Sequence, residues 1–91
     1  MKELEIYERC IEQWGVPAQM SMVVEECAEL IVELCKVGRA DPGRVVGLLE
    51  EAVDVQITLN QLKSILDKEE WDIMYKIKLD RLEARLKGLP A

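Results

Sequence analysis

The stretch from Asp41-Pro42 to about Leu66 holds more apolar residues than one buried face can use. Projected at ~100° per residue, Leu48, Ala52, Val55, Leu59 and Leu62 form one apolar arc, and Val46, Leu49, Val53 and Ile57 form another nearly opposite. A helix that is apolar on two sides is buried on two sides. A chain of 91 residues has few other elements with which to cover both. This segment therefore predicts a helical domain whose packing is completed by a partner subunit.

The flanking sequence reads as three more helices. The first runs from about Lys2 to Trp14, with Leu4, Ile6, Tyr7, Cys10, Ile11 and Trp14 as its apolar positions and Gly15 as its stop. Pro17 suits the first turn of a second helix that reaches about Val37 and stops at Gly38, with Met20, Val23, Cys27, Ile31 and Leu34 on its apolar side. Gly38 to Gly43 is a loop, and Asp41-Pro42 supplies an N-cap and first helical residue for the third helix. Gly47 costs that helix about 1 kcal/mol relative to Ala, so it marks a close approach or a bend. Asp67 and Glu70 have capping-box spacing for a fourth helix carrying Trp71, Ile73, Met74, Ile77, Leu79, Leu82 and Leu86, which ends at Gly88 and Pro90. No strand alternation competes. The expectation is one all-α domain over residues 1–91, a four-helix bundle completed by oligomerisation as a homodimer or homotetramer.

Composition narrows the function. The hydrophobic fraction is 49% with no Phe, so the core is aliphatic, and a charged fraction of 33% suffices to coat the helices. A net charge of −6 argues against non-specific nucleic-acid binding, which needs a basic surface. With no His, and with Cys10, Cys27 and Cys35 lacking paired spacing, zinc is disfavoured; the cysteines read as small buried hydrophobes in a reducing compartment. The charged start is unlike a signal peptide, and no apolar run approaches the roughly 20 residues a membrane span needs. A cytoplasmic protein with no membrane partner is expected.

Two acidic motifs carry the chemistry. Glu26 and Glu29 are three residues apart in Glu25-Glu26-Cys27-Ala28-Glu29, and Glu51 and Asp54 repeat the spacing in Glu50-Glu51-Ala52-Val53-Asp54. On a helix each pair shares a face, where like charges repel. Glu51 lies beside Val55 and Leu62 on the first apolar arc, and Asp54 falls between Ile57 and Ile65, so both face an interior or a cleft. Antiparallel packing of the second and third helices brings the pairs opposite each other. Carboxylates gathered beside an apolar core need positive charge. With no His or Cys ligand at the site, Mg²⁺ is the expected ion and Mn²⁺ the alternative. Mg²⁺ completes its shell with water and substrate phosphates, which fits hydrolysis of a phosphate ester or anhydride.

Glu26-x-x-Glu29 followed by Glu51-x-x-Asp54 resembles the double metal motif of the MazG-like all-α nucleoside triphosphate pyrophosphohydrolases. Trp14-Gly15, then Gln19, then Glu25 to Leu30 is similar to that family's approach to its first motif, and Lys78-Leu79-Asp80-Arg81-Leu82 to its basic last-helix segment. The resemblance spans most of the chain. It implies Mg²⁺-dependent conversion of a nucleoside or deoxynucleoside triphosphate to monophosphate and pyrophosphate, in the manner of nucleotide-pool housecleaning enzymes. By motif position it implies Glu26, Glu29, Glu51 and Asp54 as metal ligands, Glu25 and Glu50 as neighbouring acids that either orient water or support the ligands from behind, and Lys78 as a phosphate contact. Asp80 stands where relatives often carry Asn.

Other residues have weaker claims. Gln19 is a candidate for a base edge, against a plain helix-surface Gln; Trp14 is a core or interface anchor before it is a stacking platform. Arg81 and Arg85 share a face with Lys78, which reads either as substrate-binding or as an exposed, salt-bridged surface with Asp80 and Glu83. Lys36, Arg39 and Arg44 either steer an anion or decorate a helix end and loop. Two rival functions stand beside the main one: a related pyrophosphohydrolase for phosphoribosyl-ATP or a single deoxynucleotide, and a non-catalytic helical oligomerisation module.

Overall fold

A computed structural model describes residues 1–37 and 45–90. It contains α1 (Glu3–Trp14), α2 (Val16–Val37), α3 (Val45–Ile65) and α4 (Lys68–Leu86), with no strand among the described residues. The expected all-helical architecture is present, and each described helix boundary lies within one or two residues of its sequence signal. Gly15 ends α1 at φ +85°, a left-handed value that glycine reaches without Cβ strain. Asp67 caps α4 by accepting a 2.9 Å hydrogen bond from the Glu70 backbone N–H. The expected start of α3 at Asp41-Pro42 lies outside the described residues. None of the described helices is long and apolar enough to cross a membrane.

The helices α2 and α3 form the main packed pair, α1 lies against both, and α4 touches only α3. The stripe of α2 that turns inward is Gln19, Val23, Glu26, Leu30, Glu33 and Val37. This differs from the apolar side read from the sequence. Val23 and Cys27 are half-buried, but Met20, Ile31 and Leu34 are at least half exposed. Glu26 and Glu33 occupy the α3-facing stripe, so the most apolar arc of α2 faces outward. On α3 the first arc faces inward through Leu48, Val55, Leu59 and Leu62, with Glu51 and the buried Thr58 among them. The opposite arc, Val46, Leu49, Val53 and Ile57, is exposed.

Tyr7 is the one buried apolar side chain among the described residues, and it ties α1 to α3. Its hydroxyl donates to Glu3, and Asn60 Nδ2 of α3 donates to the Tyr7 hydroxyl and to Glu3, both at 3.3 Å. Hydrogen bonding to Glu3 and burial push the Tyr7 phenol above its usual pKa. Cys10 and Cys27 are half-buried thiols as expected, whereas Cys35 is exposed because it lies on the side of α2 away from α3.

Gly47 is a close approach. A Cβ there would stand 3.0 Å from Glu33 Oε2, so the missing side chain gives the glutamate room between α2 and α3. Gly47→Leu is expected to cost about 1–3 kcal/mol by overpacking this gap, read as a lower denaturation midpoint at unchanged slope.

Candidate functional site

The two acidic motifs meet where α2 and α3 cross. Carboxylate oxygens of Glu26, Glu51 and Asp54 all lie within 4.8 Å of one another. Glu29 is close enough to disfavour charge on both Glu26 and Glu51. Three of the four residues singled out as metal ligands thus meet, and Glu29, one turn along α2 from Glu26, is near enough to act on the charges of Glu26 and Glu51 without joining that group. Glu26 and Glu51 are half-buried, while Asp54 and Glu29 are at the exposed rim. The expectation that Asp54 would be enclosed is therefore corrected: its position one turn along α3 carries it to the edge of the contact.

Glu26 Oε2 and Glu51 Oε2 are buried and have no hydrogen-bond partner among the described residues. Desolvation raises both pKa values above the ordinary 4.5, and it is the largest cause at each. Repulsion from Glu29 and Asp54, and hydrogen bonding with Glu29, push in the same direction. The folded chain consequently holds protons here that the unfolded chain has released. Without a cation, stability should fall as pH rises from about 4.5 through the raised values, and be greatest below that window. Calorimetry in a chelator should give a higher melting temperature near pH 4.5 than near pH 7.5, and a saturating divalent cation should reduce the difference.

Glu25 adds to the field at Glu26 and also lines an adjoining cavity of about 700 Å³. The cavity wall includes Trp14, Met22, Gln19 and Gln61. Trp14 is 63% exposed, so it serves as a wall of this cavity and not as a core anchor. Gln19 is only 5% exposed, which overturns the plain surface reading, and its Nε2 donates to Gln61 Oε1 at 2.5 Å. Gln61 was not apparent from the sequence. Its signal was a polar residue on α3 ten positions after Glu51, close to the same inward arc, but only the α2–α3 contact pairs it with Gln19.

The remaining residues do not join the cluster. Glu50 is exposed and is not among the groups acting on Glu26 or Glu51. Lys78 and Arg81 stand on α4, which touches neither α1 nor α2, and they are exposed. Around them, Lys76 pairs with Asp80 at 3.0 Å and Lys87 with Glu83 at 2.5 Å, the salt-bridged surface considered above. Lys36 pairs with Glu33 at 3.3 Å, and Arg39 and Arg44 lie outside the described residues. Comparison with protein-family models, curated proteins and solved structures finds no match to this chain.

Proposed function

We propose that this chain is a Mg²⁺-dependent nucleoside triphosphate pyrophosphohydrolase, converting NTP or dNTP and water to monophosphate and pyrophosphate. The observation that carries the reading is the pair of buried oxygens on Glu26 and Glu51 that no described residue partners, on carboxylates gathered with Asp54. An acceptor buried without a donor is costly, and a cluster of them around one point suits a hard cation with oxygen ligands. The absence of His and the acid-only donor set favour Mg²⁺ or Mn²⁺ over softer ions.

In this reading Glu26, Glu29, Glu51 and Asp54 hold the ion. Bound Mg²⁺ would supply charge neutralisation for the phosphates and a more acidic water. Glu25, at the junction of the acids and the cavity, orients water; Glu50 neither lines the cavity nor acts on the paired acids, so it has the weaker claim to that role. Trp14 offers an aromatic face and the Gln19–Gln61 pair a fixed amide edge, so the cavity beside the acids is the nucleoside end of the site. Within one chain Lys78 and Arg81 stand apart from this arrangement, and their reach to phosphate would need a second subunit. Homodimer or homotetramer formation, with a cytoplasmic setting, completes the reading; the exposed outer arc of α3 supports the former.

The test is pyrophosphate release from canonical and damaged nucleoside and deoxynucleoside triphosphates, and from phosphoribosyl-ATP, with and without Mg²⁺. Mg²⁺-dependent release from a triphosphate is the expected result. Release from phosphoribosyl-ATP alone would move the assignment to the related enzyme. No release from any substrate, together with no Mg²⁺ effect on melting, would leave the helical oligomerisation module as the function.

A further inference from the structure

The chain exposes far more surface than a compact monomer of its mass. Its accessible area is 7239 Å², against about 5,400 Å² expected for a folded monomer of 10.4 kDa. The excess of about 1,800 Å² is roughly twice what one partner contributes to a standard protein interface. The radius of gyration is 16.4 Å, where a compact chain of this length has about 12 Å. The α4 helix adds to the excess, since among the described helices it leans on α3 alone and it has no buried residue.

Apart from Ile73, Met74 and Ile77, which are exposed elsewhere on the helix, four apolar residues of α4 form one stripe. Tyr75, Leu79, Leu82 and Leu86 recur at alternating intervals of four and three residues, the seam spacing of paired helices. They are 61%, 51%, 50% and 83% exposed, and they line one shallow concavity of about 590 Å³. Single exposed leucines are ordinary, but a seam that repeats through the C-terminal part of α4, from Tyr75 to Leu86, marks an interaction surface.

The charges beside the seam say what fits it. Lys78 precedes Leu79 and Glu83 follows Leu82, which places them on opposite flanks. In a parallel pair of identical helices, Lys78 meets Glu83 of the partner subunit twice, once on each side. An antiparallel pair instead sets Lys78 beside Arg85 of the partner subunit, and the repulsion cancels what Lys76 and Glu83 gain there. Glu83 already holds Lys87 through Oε1, and its second oxygen is available for the cross-chain contact.

We infer that α4 is a self-association helix: the Tyr75–Leu79–Leu82–Leu86 seam pairs in parallel with the same seam of a second copy. This inference is independent of the chemistry at the acids. Analytical ultracentrifugation of the full chain should show wild type as a multiple of 10.4 kDa at about 20 µM, a concentration at which standard-sized interfaces are occupied. Leu79→Glu with Leu82→Glu should raise the dissociation constant at least ~100-fold; both side chains are exposed in the single chain, so the α1–α3 body loses no contact. Lys78→Glu should weaken association by about 10-fold, and adding Glu83→Lys should restore it. A monomeric wild type, a Leu79/Leu82 variant that associates like wild type, or a charge-exchanged double variant as weak as the single one would each overturn the inference.

Discussion

Glu51→Gln is expected to lower pyrophosphate release by at least ~100-fold, several kcal/mol of transition-state stabilisation, while leaving the helices formed. The substitution keeps the side chain's size and removes the charge from a group whose Oε2 is buried without a partner among the described residues. It should also reverse the usual sign of a site mutation on stability. In chelator the variant should melt above wild type, because desolvation and the neighbouring acids disfavour the charge at Glu51. Mg²⁺ at about 100 times its dissociation constant should raise the wild-type melting temperature by about 10 °C or more, and should do little for the variant. Glu26→Gln is expected to behave in the same way, since its carboxyl is held by the same surroundings. If both variants hydrolyse substrate at wild-type rates, the ligand assignment fails whatever their stability.

The second large effect concerns the fold. Tyr7→Ala is expected to destabilise by about 3–5 kcal/mol, since it removes an aromatic ring from the one buried apolar position described and leaves a cavity between α1 and α3. For a domain under 100 residues this corresponds to a fall of about 12–30 °C in melting temperature. Tyr7→Phe separates packing from hydrogen bonding. It keeps the ring, loses the contacts to Glu3 and Asn60, and should cost about 1 kcal/mol. A Tyr7→Ala loss no larger than that of Tyr7→Phe would mean that the ring contributes little to holding α1.

The all-helical architecture was legible in local signals, because helix stops and caps depend on a few adjacent residues. Gly15 and the Asp67–Glu70 cap act through backbone conformation and one hydrogen bond, and both stand where the sequence places them. The meeting of Glu26 with Glu51 and Asp54 was legible for a related reason. Three-residue spacing puts each pair on one helix face, and the short connection between the two helices makes them antiparallel neighbours. Gly47 was readable only as a choice between a close approach and a bend; the glutamate that fills the space lies on another helix.

What the sequence determined by itself is the set of helices and the pairing of acids within each, since both follow from the period of one chain segment. The tertiary structure decided which side of each helix is inside. It turned Glu26 and Glu33 toward α3, left Met20, Ile31 and Leu34 outside, put Trp14 on a cavity wall, and joined Gln19 to Gln61. Those outcomes depend on how much surface two helices bury together, a quantity that no single helix's periodicity contains. For the same reason the two-sided apolar pattern of α3 predicted an uncovered face, while only the assembled chain reveals that α4 leaves a second one.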